Sequence, residues 1–150
     1  MSVQYYSAGD NLEDMLPHLP DMIEVVEHKD TIRKHFRPLL YISGPMMSEG
    51  HPYDNIGLAI ELGEIAYERG WAPIIPHCDV LICIATGNTD RSRYMDVDLA
   101  VLSKCSAACF LPFKVQTLPD GTPAGTSEEF DLATELGIPI YNEETLPYVN

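Results

Sequence analysis

The fold class follows from residues 39–76, which read LLYISGPMMSEGHPYDNIGLAIELGEIAYERGWAPIIP. It opens with the apolar run LLYIS, residues 39–43, and closes with APIIP, residues 72–76, and both runs have the length of buried strands. Between them, residues 54–69 carry apolar side chains at helical spacing and are followed by Gly70, a residue that commonly ends helices. A strand, a helix and a second strand in this order predict a parallel βαβ unit.

The alternation of strands and helices continues through the rest of the chain. Residues 78–85 are compatible with either a strand or a helix by their apolar pattern. The other predicted elements are helices over 92–104 and 126–136, strands over 107–111 and 138–141, and a loop over 112–125. We therefore predict an α/β fold, a single-domain doubly wound parallel sheet of Rossmann-like or flavodoxin-like type with four to five strands. Ligands of such sheets bind beyond the carboxyl ends of the strands, which lie here near residues 43, 76 and 111.

This predicted domain spans residues 38–150 and leaves residues 1–37 as an N-terminal extension. The extension carries one predicted helix over residues 21–36, with Asp21 as its cap and Pro38 ending it. Its sequence predicts no particular role.

The composition excludes several classes of partner. The 150 residues carry 23 acidic side chains against 9 Lys and Arg, which gives a formal net charge of −14. Binding to nucleic-acid phosphates and to anionic membranes depends on Lys and Arg, so we expect no nucleic acid and no membrane as partner. No apolar stretch approaches the roughly 20 residues of a membrane-spanning helix. The N-terminus lacks the features of a signal peptide, and this favours a cytoplasmic protein.

The four cysteines, Cys78, Cys83, Cys105 and Cys109, have apolar neighbours and form no CxxC pair. We interpret them as buried free thiols in a reducing compartment. A zinc site that combines them with His77 is poorly spaced, so we expect no metal.

Several polar residues lie where the predicted strands end. Tyr41 and the turn Ser43-Gly44-Pro45 belong to the end of the first strand, and His77 follows the second. A glycine turn lets the backbone approach a ligand, but a plain turn and a structural histidine are the more common interpretations. Asp98 borders the apolar side of its predicted helix, where a carboxylate is costly unless it is paired or functional. A solvated helix face is the alternative for this residue.

Glu129 also has two interpretations. The run from Thr126 to Glu129 fits a capping box, with Thr126 as the N-cap of the predicted helix over residues 126–136. In the same way, Asp54 is predicted to cap the helix over residues 54–69. The same first-turn position predicts a carboxylate that backbone N–H groups hold ionised at the ligand-binding edge, where it can act as a nucleophile. The residues alone favour neither interpretation.

A set of short motifs follows in a fixed order over residues 39–141. The motifs are Tyr41-Ile42-Ser43-Gly44-Pro45, Asn55, Pro76-His77, Tyr94-Met95-x-x-Asp98-Leu99-x-x-Leu102-x-x-Cys105, Leu111-Pro112, Gly125-x-x-x-Glu129 and Glu135-Leu136-Gly137-Ile138-Pro139. Their order and spacing resemble those of the nucleoside 2-deoxyribosyltransferase-like proteins. That family includes the transferases and the 2'-deoxynucleoside 5'-monophosphate N-glycosidases.

The resemblance implies a role for each matching position. Glu129 matches the nucleophile, Asp98 the acid that acts on the departing base or the sugar, and Tyr41 the phenol that orients the nucleophile. The substrate-binding positions that it implies are Ser43, Gly44, Pro45, Asn55, His77, Gly125 and Ser127. It implies no metal and no cofactor.

The implied activity is cleavage of an N-glycosidic bond, or base exchange, on a (deoxy)nucleoside or nucleoside monophosphate through a glycosyl-enzyme intermediate. The implied partners are a small-molecule nucleoside or nucleotide and further copies of this chain in a homo-oligomer. No Lys or Arg lies between Tyr41 and Asn55, which weighs against a strongly held phosphate. The alternatives are a non-catalytic nucleotide-binding or sensing module of the same fold, and a structural subunit whose motifs are only caps and turns.

Overall fold

A parallel sheet lies at the centre of residues 36–149, the part of the chain that the computed structural model describes. Its four strands are β1 (Leu39–Ser43), β2 (Ala72–Ile74), β3 (Ala107–Phe110) and β4 (Ile140–Tyr141). Neighbouring strands are parallel throughout, and their order across the sheet is β2-β1-β3-β4. The predicted α/β fold with a parallel sheet is confirmed, with four strands among the described residues.

Helices make the crossover connections that parallel strands require. They are α1 (Pro52–Glu68) between β1 and β2, α2 (Val80–Thr86) and α3 (Arg91–Leu102) between β2 and β3, and α4 (Gly125–Glu135) between β3 and β4. A short 3-10 helix, Pro76–Asp79, precedes α2.

The side chains of β1 alternate between the two faces of the sheet. Leu40 and Ile42 are fully buried in one core cluster, together with Leu62 of α1. Tyr41 is fully buried in the other cluster, together with residues of α3 and α4 such as Leu102 and Ala133. Helices therefore cover both faces, as predicted for a doubly wound sheet, and this explains why β1 is apolar at successive positions.

The chain changes direction at β1. It first moves from β1 to β2 on one side and then crosses to β3 on the other, the flavodoxin-like order. Loops leaving the carboxyl ends of β1 and β3 therefore diverge and leave a crevice between them. A Cβ atom on Gly44, just after β1, would lie 2.8 Å from the side chain of Leu111, just after β3, so glycine is required where the two strands end and before their loops diverge.

Two predicted boundaries near β2 differ from the structure. β2 ends at Ile74 and not at residue 76, because Pro76 has no N–H for a strand hydrogen bond and begins the 3-10 helix. The ambiguous segment 78–85 is helical, since its residues belong to the 3-10 helix and to α2.

Two predicted helix caps are wrong. Helix α4 begins at Gly125 with Ala124 as its N-cap, and no side chain caps it. Thr126 lies inside the first turn, so the capping box does not form and does not account for Glu129. Helix α1 begins at Pro52, which places Asp54 in the first turn and not at the cap.

The cysteine prediction holds for two of the four residues. Cys105 and Cys109 are buried, whereas Cys78 is exposed and Cys83 is half-buried, and all four are free thiols. The extension and its predicted helix over residues 21–36 fall outside the described part of the chain, apart from Phe36 and Arg37. None of the helices in residues 36–149 is both long enough and apolar enough to cross a membrane.

Candidate active site

A cavity of about 310 Å³ opens at the carboxyl ends of the strands. Its volume lies at the lower end of the range for small-molecule pockets, roughly 300–1,000 Å³. Much of its wall is apolar, with Met46, Met47 and Met95 among the lining residues. The polar side chains that line it include His77, Arg91, Asp98, Thr126 and Glu129.

Glu129 projects from the first turn of α4 and is 6% exposed. Its Oε1 atom accepts a hydrogen bond from the Tyr41 hydroxyl at 2.9 Å, and its Oε2 atom accepts one from the Ser43 hydroxyl. Tyr41 and Ser43 are two residues apart on β1, so both point to the same face of the sheet. One strand therefore supplies donors to both oxygens of a carboxylate on a distant helix.

The protonation of Glu129 is finely balanced. Burial raises the pKa of Glu129 to about 7, the hydrogen bonds from Ser43 and Tyr41 oppose this rise, and the negative charge of Asp98 adds to it. The sequence-based expectation was a carboxylate that backbone N–H groups keep ionised. The structure corrects it, because the donors are side-chain hydroxyls and burial outweighs them.

Asp98 lies on α3 and is partly buried where it lines the cavity. Burial raises the pKa of Asp98 to about 6, and the nearby charge of Asp79 contributes. Burial and the charge of Glu129 raise the pKa of the Tyr41 phenol far above its usual range, so Tyr41 stays protonated and donates. The cavity therefore holds two carboxyl groups that both titrate close to neutral pH.

His77 is 4% exposed, and neither of its ring nitrogens has a hydrogen-bond partner. Burial lowers the pKa of His77, and the nearby backbone of Pro45 and Gly44 offsets only part of this effect. A neutral imidazole presents one donor and one acceptor. The ring lines the cavity, and both of its nitrogens are buried.

Arg91, the first residue of α3, is the basic side chain that lines the cavity. Its Nη2 atom donates to Glu128 Oε1 at 2.7 Å and to the Pro123 carbonyl at 2.9 Å. The nearby N-terminus of α4 has no side-chain cap, and Gly125 and Thr126 line the cavity. Free N–H groups at a helix N-terminus attract anions, so this side of the cavity suits a negatively charged ligand group.

Sequence reasoning missed Arg91 because it considered basic residues only in the loop after β1. The available signal was its position at the start of a helix that also carries Asp98. Thr126, which the sequence predicts as an N-cap, is 4% exposed and lines the cavity.

Some of the substrate-binding positions implied by the resemblance do line the cavity, namely Gly44, His77 and Gly125. Ser43, Pro45, Asn55 and Ser127 do not. The Ser43 hydroxyl faces Glu129 instead. The amide of Asn55 donates to the carbonyls of Met46 and Glu49 at 3.1 and 2.7 Å, so Asn55 holds the loop that forms part of the cavity wall.

Comparisons with protein-family models, curated proteins and solved structures find no match to this chain. Within residues 36–149, no three His, Cys, Asp or Glu side chains come together as a group able to hold a metal ion.

Proposed function

We propose that the protein cleaves or exchanges the N-glycosidic bond of a nucleoside or nucleoside monophosphate, with Glu129 as the nucleophile. The observation that carries the proposal is the buried Glu129 carboxylate, which two β1 hydroxyls orient in a cavity that Asp98 also lines. Enzymes that cleave a glycosidic bond with retention of configuration at the anomeric carbon usually do so with two carboxyl groups in different environments.

In the first step, a Glu129 oxygen attacks the anomeric carbon of the sugar while the bond to the base nitrogen breaks. The bonding electrons leave with the base, and Asp98 supplies the proton that neutralises it. Because the pKa of Glu129 lies above that of Asp98, the reacting molecules are the minority in which Glu129 is ionised and Asp98 is protonated. The product is a glycosyl ester on Glu129. In the second step, Asp98 takes a proton from water or from an incoming base, the new bond forms at the anomeric carbon, and the Glu129 carboxylate is released.

Tyr41 contributes by position and by charge. Its hydroxyl donates to Oε1 before attack and after release, when Glu129 carries a full negative charge. A hydrogen bond to an ionised group is roughly twice as strong as a neutral one, so the phenol favours the ionised form that attacks.

The lining of the cavity supports a substrate with an aromatic base. Thioether sulfur atoms interact favourably with aromatic rings, and Met46, Met47 and Met95 provide them. The buried nitrogens of His77 add a neutral donor and acceptor, which pair with a polar base edge once the ring turns toward the ligand. Arg91 and the open N-terminus of α4 support a 5'-phosphate more than the sequence suggested, although Arg91 is already paired with Glu128.

The decisive experiment incubates the full chain with a panel of deoxynucleosides, ribonucleosides and their 5'-monophosphates and measures free base by chromatography. The wild type is expected to release base, and Glu129→Ala is expected to abolish release. Glu135→Ala, on the exposed end of the same helix, is the matched control and should behave as the wild type. Addition of a second free base separates exchange from hydrolysis. Absence of release by the wild type, or equal release by Glu129→Ala, would overturn the proposal.

A non-catalytic binding or sensing module is the second candidate. The pKa of Glu129 favours this candidate. At neutral pH, Glu129 is protonated in a large fraction of the molecules, and a protonated carboxyl group cannot attack. A binding module predicts that a nucleotide raises the melting temperature of the wild type and of Glu129→Gln equally, with no base released from either.

We also propose that the protein forms a homo-oligomer, as the resemblance implies, and that α2 forms its interface. None of the seven residues of α2 is buried, and Leu81, Ile82 and Ile84 are 45–70% exposed. Helix α2 carries no charged residue, so a second copy can pack against it without ion-pair loss. Light scattering should show a multimer for the wild type and a smaller species for Ile84→Ser, and a monomeric wild type would refute this assembly.

We propose a cytoplasmic location as well. The four cysteines are free, and two of them are accessible enough to oxidise, which suits a reducing compartment.

A further inference from the structure

The hydrogen bond between Ser43 and Glu129 has no role in the substrate contacts described so far. Ser43 is the last residue of β1, is 1% exposed and does not line the cavity. Its hydroxyl donates to Glu129 Oε2, the oxygen that Tyr41 leaves free. The sequence suggested a substrate-binding serine, whereas the structure places its hydroxyl behind the nucleophile.

Two donors on different oxygens restrict the Glu129 carboxylate more than one donor does. The last torsion of a glutamate side chain has broad, weak preferences, so a single hydrogen bond leaves the carboxylate group free to turn. With Tyr41 on Oε1 and Ser43 on Oε2, two side-chain hydroxyls of β1 define the plane of the carboxylate. Each oxygen keeps lone-pair capacity with which to attack the substrate.

The charges around Glu129 make these donors more important. Asp98 on α3 and Glu128 on α4 both disfavour the ionised form of Glu129, as does burial. Arg91, the nearby cation, is engaged by Glu128 at 2.7 Å. The groups that favour the ionised form are the hydroxyls of Ser43 and Tyr41, and the contribution of Ser43 is the larger of the two.

We propose that Ser43 is a positioning residue for the nucleophile, whose hydroxyl holds the Glu129 carboxylate in the ionised, oriented state that attacks the substrate. Ser43 itself does not touch the substrate. The inference rests on the proposed function for its effect on turnover, but its effect on Glu129 exists in the free protein.

The first test measures the titration of Glu129 without any substrate. Infrared or carbon NMR difference spectra of the carboxyl group, assigned by comparison with Glu129→Gln, give the midpoint in the wild type and in Ser43→Ala. Loss of one hydrogen bond to a charged group, about 1.5–3 kcal/mol, corresponds to an upward shift of roughly one to two pH units. Ser106→Ala, an exposed serine just before β3, is the matched control and should leave the midpoint unchanged.

The second test measures turnover across pH with the same variants. Because Glu129 has the higher pKa of the pair, its further rise in Ser43→Ala should move the basic limb of kcat/KM upward by about the same one to two units and lower kcat/KM at pH 6 by roughly 10- to 100-fold. KM should change little, because the hydroxyl does not face the cavity. Ser43→Thr keeps the hydroxyl and should restore most of kcat/KM at pH 6.

The outcomes separate this inference from the proposed function. An unchanged Glu129 midpoint in Ser43→Ala overturns the role of Ser43, whatever the activity. A raised KM with an unmoved basic limb also overturns it, because that result describes a substrate contact. A wild type without turnover overturns the proposed function, and the titration midpoint still decides whether Ser43 controls Glu129.

Discussion

Replacement of Glu129 by glutamine should make the fold more stable at high pH while it removes the nucleophile. The pKa of Glu129 rises from 4.5 for an ordinary glutamate to about 7 in the folded chain, so the folded state holds a proton that the unfolded state releases. The stabilisation from this proton is fully present below pH 4.5 and is lost as pH rises through 7. A rise of this size corresponds to about 3 kcal/mol of unfolding free energy.

The assay is urea unfolding of the wild type and Glu129→Gln at pH 5 and pH 8. Glutamine carries no titrating proton, so the variant lacks this particular pH dependence. The stability of the variant minus that of the wild type should therefore increase by roughly 2 to 3 kcal/mol between pH 5 and pH 8. Contributions from other groups, such as His77, occur in both proteins and cancel.

Glu135→Gln provides the control, because Glu135 is exposed on the same helix and its replacement should leave the pH dependence as it is in the wild type. A stability difference between Glu129→Gln and the wild type that stays constant within about 0.5 kcal/mol, the usual additivity error, would refute the reasoning. That result would mean that water reaches the carboxylate or that its hydroxyl donors fully compensate for burial.

Three further predictions concern the cavity. The pH profile of kcat/KM should be a narrow bell with apparent limits close to 6 and 7, and both limits belong to the Glu129–Asp98 pair. Asp98→Asn should remove the basic limb of this bell and slow base release by about 10²- to 10⁴-fold. A basic limb that persists in Asp98→Asn would exclude Asp98 as the acid. His77→Phe should weaken nucleoside binding up to about tenfold in calorimetry. The free protein should not lose stability, because both ring nitrogens of His77 lack partners. A loss of stability would show that His77 is a structural histidine. Arg91→Ala should weaken monophosphate binding by about tenfold and nucleoside binding much less, and equal losses would show that Arg91 does not contact a phosphate.

The fold was predictable because its signals are local. The run LLYIS is apolar at successive positions, which is typical of a strand covered on both faces, and the helical spacing after it leaves a parallel crossover as the natural connection. Its boundaries were less predictable. Thr126 and Glu129 have the spacing of a capping box, but the N-cap is Ala124, two residues earlier, and Glu129 instead pairs with Tyr41 and Ser43.

By itself, the sequence determined the α/β class, the parallel sheet and the carboxyl edge at which a ligand site was to be sought. It also determined which residue types were present there, since Tyr41, Asp98 and Glu129 stand out by motif. Their grouping was decided only by the tertiary structure, because it depends on the strand order that places β1 at the centre and on helices that cross it. The orientation of Ser43 and the unpartnered ring of His77 likewise required the packed structure, in which burial changes the cost of every charge and unpaired group.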